Sequence, residues 1–178
     1  MYIQKPFYQE TLTKTNLTIL SRSRIIYKSR INYICIKMTE KAIVTKLHLI
    51  DNYTFDSEFE VDYLPNIILD ETKPEGGGSG PNPTRLLSAA VGHCMSSSLI
   101  FCLKKARVRI NDLQTKVKTN LYRNDQKKLR IKNIDVEILL EVNKEDKQRV
   151  PRCLKLFEDY CTVTKSIRNG IEVNVNVN

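Results

Sequence analysis

The sequence lacks an uninterrupted apolar run of the roughly 20 residues that a membrane-spanning helix needs, and it also lacks a regular framework of cysteines. Its five cysteines are an odd number without regular spacing, which argues against the paired disulfides of a small secreted protein. With 41% hydrophobic and 28% charged residues, the composition is that of an ordinary globular protein. We therefore expect a cytoplasmic protein without membrane contact, in a reducing compartment where isolated cysteines are core residues, ligands or catalysts.

The basic charge is concentrated at the N-terminus. Residues 1–37 contain seven of the 29 Lys and Arg residues but only one of the 20 acidic residues. The rest of the chain is close to neutral and has no basic stripe with interleaved aromatic residues, so the net charge of +9 does not predict a nucleic-acid partner. We expect residues 1–37 to be a disordered extension or the product of a misassigned start codon, with a targeting segment as the alternative. Residues 38–178 are expected to form a single domain.

Alternating apolar and polar residues predict strands on both sides of one long helix. The predicted strands are 41–50, 54–65, 66–69, 112–122, 129–142 and 171–178. A Gly- and Pro-rich connection, 70–83, lacks the Lys-Ser/Thr pair that a P-loop needs. The long helix starts at Pro83, and its stretch Leu86–Leu103 is almost free of charge, which is typical of a helix at the centre of a domain or in a subunit interface. A second, amphipathic helix is predicted over 143–160.

The resulting order β-β-β-α-β-β-α-β indicates an α+β fold in which antiparallel sheets pack on helices. In the second helix we expect one apolar side, formed by Val150, Leu154, Leu156, Phe157 and Tyr160.

Four cysteines lie in the regular part of the chain. Cys94 is in the middle of the long helix beside His93, and it needs a nearby cation to become reactive because it is far from the helix ends. No compact C-x-x-C or H-x-x-x-H partner accompanies this pair, so we expect no metal site. Cys102 is interpreted as a packed small hydrophobe and Cys153 as a half-buried structural thiol. Cys161 begins a helical turn whose free N–H groups would favour its thiolate, although a structural role is an equal alternative.

Two motifs together resemble the signatures of the OsmC/Ohr family of thiol peroxidases. The first is GPNPTRLLSAAVGHC, in which a Gly/Pro-rich approach leads into leucines, alanines and the first cysteine. The second is FEDYCTVTKSIRNGIEVNVNV, in which the second cysteine opens a helical turn before an alternating terminal segment. The resemblance covers about residues 40–178. It implies an OsmC-like fold, with antiparallel sheets packed on a long central helix, in an intertwined homodimer.

The resemblance also implies a reaction. Cys94 would be the peroxidatic thiol that attacks an organic hydroperoxide, and Cys161 would be the resolving thiol that condenses with the resulting sulfenic acid to form a disulfide. An external thiol or dithiol reductant, lipoyl-linked or thioredoxin-like, would then regenerate the pair by exchange, without a bound cofactor or metal.

The sequence departs from the family pattern in the groups that activate the first thiol. Family members commonly use a glutamate at the start of the central helix and an arginine from the N-terminal strands, but Pro83-Thr84-Arg85 contains no acid, and no arginine occurs between Arg30 and Arg85. Arg85 is about 13 Å from Cys94 along a straight helix, so its use would need a bend or the other subunit. Arg85 and His93 are the candidates for thiol activation or substrate positioning.

The alternative function is a redox-responsive or small hydrophobic ligand-binding dimer with the same fold.

Overall fold

The computed structural model describes residues 42–177 continuously and, before them, three short strands. These strands are β1 (Leu17–Ile19), β2 (Arg24–Lys28) and β3 (Tyr33–Lys37), and they pair in the antiparallel order β1-β2-β3. The sequence predicted no regular pattern in this region. The strands coincide with LTI, RIIYK and YICIK, in which β-branched and aromatic residues have high strand propensity.

Contacts within the chain divide it into two units, Met1–Val44 and Thr45–Asn178, which are described separately. The prediction of a disordered or misassigned extension over residues 1–37 falls largely on positions outside the described residues and stays a prediction.

The second unit begins with the predicted hairpin and third strand. β4 (Lys46–Asp51), β5 (Thr54–Glu58) and β6 (Ile67–Leu69) form an antiparallel sheet in the order β4-β5-β6. β5 ends earlier than predicted because Glu60 has a φ of 51°, which an extended strand does not allow. Every residue of β4 is exposed in the single chain.

The Gly/Pro-rich connection is organised around the buried carboxylate of Asp70. Its Oδ2 accepts a hydrogen bond from the Ser79 backbone N–H at 2.9 Å. This bond and those from neighbouring backbone N–H groups hold the pKa of Asp70 below its ordinary value, against the opposing effect of burial. Glycine is required at Gly76 and Gly80 because a Cβ there would collide with the carbonyl groups of Glu71 and Ile68. The glycines therefore allow the chain to fold tightly around a carboxylate just before the long helix.

The long helix α1 (Pro83–Lys105) begins where the sequence predicted. The Asn82 side chain caps it by accepting a hydrogen bond from the Arg85 N–H at 3.0 Å, and Pro83 occupies the first turn. Lys104 and Lys105 lie in its last turn, where cations are favourable, and Arg107, with a φ of 56°, ends the helical path. Its buried apolar residues recur every four positions. They are Val91, Met95, Leu99 and Leu103.

By length and composition, α1 is also long and apolar enough to cross a membrane, the one such helix in the described part of the chain. The expectation that no segment reaches this length is corrected here, because small Ala, Gly and Ser residues interrupt the apolar run without making it strongly polar. One face of α1 packs in the core of the domain, with Leu99 and Leu103 almost completely buried. The absence of a membrane partner stays a prediction.

α1 packs closely on a long hairpin made of β7 (Ile110–Arg123) and β8 (Leu129–Val142). Their antiparallel register places Val117 opposite Val136. Hydroxyl groups join the helix to β7 at two levels, with oxygens 2.6 Å apart in both Ser88–Thr119 and Ser96–Thr115. Between these levels lies Gly92, where a Cβ would be 2.6 Å from Cγ2 of Val117. The absence of a side chain at Gly92 therefore sets how closely the helix approaches the sheet.

The prediction of one continuous helix over 143–160 is wrong. The segment comprises a 3-10 turn (Lys144–Arg149), α2 (Val150–Leu156) and another 3-10 turn (Phe157–Tyr160). Pro151 lacks a backbone N–H and is accommodated because it falls in the first turn of α2.

The buried side of segment 143–160 is also narrower than predicted. Cys153 and Phe157 are buried against the core, so Cys153 is more than half-buried, whereas Leu154, Leu156 and Tyr160 are exposed in the single chain.

After α3 (Thr162–Asn169), residues 171–177 follow without secondary structure, so the predicted terminal strand is wrong for the single chain. The alternating valines Val173, Val175 and Val177 are 78% or more exposed. A strand forms only when a neighbouring strand satisfies its backbone N–H and C=O groups, and within the described residues this segment is paired with none.

The fold class is confirmed: the domain is α+β, with antiparallel sheets and a central helix.

Replacing Gly92 with alanine tests the close approach of α1 to β7. We expect Gly92→Ala to lower the free energy of unfolding by about 1–3 kcal/mol, because the added methyl group overlaps Val117 and must displace the helix or the strand. Urea denaturation followed by circular dichroism measures this change. Ala90→Ser, at an exposed position two residues earlier, is the control and should change stability by less than about 0.5 kcal/mol. An unchanged stability in Gly92→Ala would contradict the close packing.

Candidate active site

The candidate site forms where α1 meets α3. Cys94 lies in the middle of α1, one position away from the buried face, and is partly exposed. Its position follows from the helix register, because Val91, Met95 and Ser98 of the same helix are buried. The site thus sits at the edge of the core, with α1 providing one wall.

Cys161 is the N-cap residue of α3 and is completely buried. Its Sγ accepts a hydrogen bond from the Thr164 backbone N–H at 3.4 Å and lies 3.0 Å from Thr164 Oγ1. A cysteine in this position replaces the usual Ser or Asp cap, so its sulfur faces the free N–H groups of the first helical turn. The prediction that Cys161 opens a helical turn is confirmed.

The two thiols that the sequence singled out are in direct contact. The Sγ atoms of Cys94 and Cys161 lie 2.8 Å apart, although 67 residues separate them in the chain. A disulfide bond joins sulfurs at about 2.05 Å, so only a small movement is needed to form it. The structure therefore brings Cys94 and Cys161 together as a dithiol.

The surroundings separate the acidities of the two thiols. Burial raises the pKa of Cys94, and its hydrogen bond to Cys161 raises it further. Burial also tends to raise the pKa of Cys161, but hydrogen bonds from Cys94, Thr164 and Ser98 outweigh it and lower the pKa. The dithiol in its singly ionised form therefore holds its negative charge mainly on Cys161, with the proton on Cys94.

This thiolate is stabilised by hydrogen bonds. Among the described residues, the groups that contribute most to the two pKa shifts are thiols, hydroxyls and backbone N–H groups, and no Lys or Arg side chain is among them. Thr164 and Ser98 were not identified from the sequence. The N-cap position of Cys161 is the signal that points to Thr164, because an N-cap side chain bonds the residue three positions later.

A cavity of about 520 Å³ lies near the dithiol, although neither cysteine is part of its wall. Thr164, which contacts Cys161, is part of its wall, and Glu158 and Arg168 form an ion pair of 2.7 Å at the same cavity. The remaining wall is largely apolar and comes from α1, β8 and α3. It includes Leu87, Val91, Met95, Ile134, Val136 and Ile167. The cavity can accept an apolar molecule that carries one polar group.

The structure places Arg85 and His93 away from this contact. Arg85 is exposed in the first turn of α1 and lines a different, polar cavity together with Thr84, Ser88 and Thr119. His93 is exposed, and its Nε2 lies 3.5 Å from Ser97 Oγ. Neither residue is among the main contributors to the pKa shifts of the two thiols, and their predicted roles stay predictions.

Metal-ligating side chains do not gather at the site. Within residues 42–177 and the three N-terminal strands, no group of three or more His, Cys, Asp or Glu residues is placed to hold a metal ion. The site is accordingly described as a dithiol.

Comparison with known proteins identifies relatives over most of the second unit. A sequence model of the family described as OsmC-like protein matches residues 76–176, more than half of the chain. The organic hydroperoxide resistance protein-like 1 of Staphylococcus epidermidis is 26% identical over 126 residues, which cover 70% of this chain and 84% of that protein.

Solved structures share the fold at low identity. The OsmC-like protein of Mycoplasma pneumoniae aligns with a TM-score of 0.60 at 14% identity, covering 79% of this chain and 98% of that one. An organic hydroperoxide resistance protein OsmC from Legionella pneumophila aligns with a TM-score of 0.55 at 17% identity, covering 73% and 91% of the two chains.

Removing the Thr164 hydroxyl tests the hydrogen bonding at Cys161. We expect Thr164→Val to shift the titration of Cys161 to higher pH, because hydrogen bonds to a charged group contribute about 1.5–3 kcal/mol. The ¹³Cβ chemical shift of labelled Cys161, followed against pH, measures the change. Thr162→Val, in the same helix but exposed, is the control and should leave the midpoint in place. A Thr164→Val midpoint equal to that of the unchanged protein would contradict the assigned hydrogen bond.

Proposed function

The chain belongs to the OsmC-like protein family, and on this premise we propose that it is a thiol-dependent peroxidase that reduces organic hydroperoxides to alcohols. The observation that carries this proposal is the 2.8 Å contact between the sulfurs of Cys94 and Cys161. A peroxidase with two cysteines needs such a pair, because the sulfenic acid formed on one thiol must be captured by the other before it is oxidised further.

Cys94 is the thiol that attacks the peroxide, because it is partly exposed whereas Cys161 is completely buried. The Cys161 thiolate serves as the local base and takes the proton of Cys94 across the short contact between the two sulfurs. The Cys94 thiolate then attacks the terminal oxygen of the hydroperoxide, and the O–O bond breaks. The alkoxide leaves with the proton held by Cys161, so the products are an alcohol, a Cys94 sulfenic acid and a Cys161 thiolate.

Cys161 then completes the oxidation. Its thiolate attacks the sulfur of the Cys94 sulfenic acid, the S–O bond breaks, and hydroxide leaves as water after taking a proton from solvent. In total, two thiols and one hydroperoxide become one disulfide, one alcohol and one water. The lowered pKa of Cys161 favours this step because it increases the fraction of the resolving sulfur that is the nucleophilic thiolate.

The cavity supports an organic substrate. Its apolar wall would hold the hydrocarbon part of a hydroperoxide, while Thr164 and the Arg168–Glu158 ion pair provide polar contacts for the reacting group. An external dithiol reductant, of the lipoyl or thioredoxin type, then reduces the disulfide by two successive exchange reactions. No resident cofactor is required by this cycle.

The second candidate is a redox-responsive or hydrophobic ligand-binding protein that does not turn over peroxide efficiently. The observation that favours it is the raised pKa of Cys94, caused first by burial, together with the position of Arg85 at a separate cavity.

Substitution of Cys94 distinguishes the two candidates. We expect Cys94→Ser to reduce the initial rate of cumene hydroperoxide consumption at least about 100-fold, since the attacking sulfur is lost. Stopped-flow mixing followed by thiol counting measures this rate. Cys102→Ser on the same helix is the control and should keep most of the activity. Consumption by Cys94→Ser at the rate of the unchanged protein would contradict the peroxidase proposal, and no consumption by the unchanged protein would favour the second candidate.

We also propose that the protein is an intertwined homodimer. Exposed apolar residues lie on β4, an edge strand paired only with β5, and on the terminal segment, which has no strand partner among the described residues. β4 exposes Leu47 and Leu49, and the terminal segment exposes Val173 and Val175. Such large apolar areas usually mark a subunit interface. The alternating pattern of the terminal segment fits pairing with a strand of the second copy, which would bury the valines.

Two double variants of the terminal segment test the dimer. We expect Val173→Asp/Val175→Asp to weaken the dimer at least about 100-fold, because charges would replace apolar side chains in the interface. Asn174→Asp/Asn176→Asp adds the same charge to the opposite face and is the matched control, which should stay dimeric. Size-exclusion chromatography with light scattering measures the mass. A monomeric unchanged protein at micromolar concentration would contradict the homodimer.

A further inference from the structure

The cysteines of the domain occur as two pairs. Cys102 follows Cys94 by eight residues on α1, and Cys153 precedes Cys161 by eight residues in the C-terminal segment. α1 packs against α2, the following 3-10 turn and α3. Since Cys94 contacts Cys161, the part of α1 about 12 Å further along the helix is expected to meet the segment that precedes Cys161 by about eight residues. Arg149, four residues before Cys153, donates a hydrogen bond of 3.0 Å to the carbonyl of Ala106, four residues after Cys102. Cys102 and Cys153 therefore occupy opposed positions between this bond and the contact of Cys94 with Cys161.

The second pair is more deeply placed than the first. Cys153 is 1% exposed and belongs to the apolar core, and Cys102 packs against the same core while staying partly exposed. Burial first, and interaction with the Cys102 thiol second, raise the pKa of Cys153 to about 11.

We propose that Cys102 and Cys153 form a second redox-active dithiol, independent of Cys94 and Cys161, that is oxidised to a disulfide joining α1 to α2. The sequence alone indicated only structural roles for these residues, since Cys102 lies within the apolar run LIFCL and Cys153 lies beside Arg152 on the predicted second helix. Their opposed positions on two packed elements allow a further role. A buried cysteine without a partner is inert, whereas two cysteines at opposed positions of packed elements can be linked with small movements.

The oxidant for this pair is a low-molecular-weight disulfide. Cys102, the accessible thiol, attacks one sulfur of the reagent as its thiolate, which breaks the S–S bond and releases one thiol. Cys153 then loses its proton and attacks the Cys102 sulfur of the mixed disulfide, which releases the second thiol. Two electrons and two protons pass from the protein to the reagent, giving one protein disulfide and two small thiols.

The second step is slow at neutral pH because Cys153 is almost entirely protonated. With a pKa of about 11, its thiolate fraction rises about tenfold for each pH unit between 7 and 9, and the rate of ring closure should follow it. The two pairs cannot exchange directly, because about 12 Å of helix separates Cys94 from Cys102. The disulfide would connect α1 to the segment that leads to Cys161.

The test uses the full chain with Cys35, Cys94 and Cys161 changed to Ser, so that only Cys102 and Cys153 are left. The probe is dithiodipyridine, a small aromatic disulfide whose released thiopyridone absorbs light. Trypsin cleavage after Arg85, Lys104, Arg152 and Lys155 then separates the two cysteines into peptides 86–104 and 153–155. Mass spectrometry without reduction identifies a link between them.

We expect two thiopyridones released for each chain, a linked 86–104/153–155 product and a closure rate that rises about tenfold for each pH unit between 7 and 9. The additional change Cys153→Ala is the control, and it should leave a stable pyridyl adduct on Cys102. Pyridyl adducts on Cys102 and Cys153 separately, or unreacted thiols after complete treatment, would overturn the proposal. Since no peroxide is used, these outcomes are independent of the proposed peroxidase function.

A second measurement covers the case in which this variant does not fold, as judged by circular dichroism. The Cys35→Ser chain retains both pairs, and cyanogen bromide cleavage after Met95 separates Cys94 from Cys102 before the trypsin step. The expected product after oxidation links 96–104 to 153–155. Recovery of 153–155 without a partner, while Cys94 and Cys161 are linked, would overturn the proposal.

Discussion

The contact between the sulfurs of Cys94 and Cys161 depends on α1 being held from two sides. On one side, Gly92 lets the helix approach β7 closely, and the two hydroxyl pairs between α1 and β7 fix the position of the helix along the strand. On the other side, α2 and α3 pack against the same helix and bring Cys161 to it. A shift of α1 by one residue would turn Cys94 by about 100° and separate the sulfurs. The packing of the whole domain therefore determines the distance between two atoms.

The electrostatics of the pair show how a thiolate is stabilised here by hydrogen bonds. Cys161 is buried, and burial alone would keep it neutral. The N-cap geometry reverses this tendency, because a backbone N–H, a hydroxyl and the neighbouring thiol all face one sulfur. When the pair loses one proton, the charge is therefore held mainly on the buried sulfur, and Cys94 keeps its proton. The short contact between the sulfurs allows that proton to pass from one to the other.

The sequence predicted the parts of this arrangement that depend on local patterns. The start of α1 at Pro83, the β7–β8 hairpin and the helical turn opened by Cys161 all follow from short-range rules. The interruption of 143–160 was missed although Pro151 is a local signal for a helix boundary. The unpaired state of 171–177 was not predicted because strand pairing depends on neighbours distant in sequence. Thr164 was missed for a similar reason: a hydroxyl in a helix becomes significant only once the sulfur it contacts is known. The pairing of Cys102 with Cys153 likewise requires the antiparallel packing of two segments.

The complete burial of Cys161 determines how an oxidised pair can be reduced. An incoming thiolate must approach along the S–S axis, and of the two cysteines only Cys94 is partly exposed. The electrons would therefore enter at Cys94, and Cys161 would depart as the leaving group. Its lowered pKa suits this part, because a more acidic thiol leaves faster in exchange. The N-cap position of Cys161 on α3 would thus determine which sulfur the reductant attacks, and it also favours the thiolate that attacks the sulfenic acid.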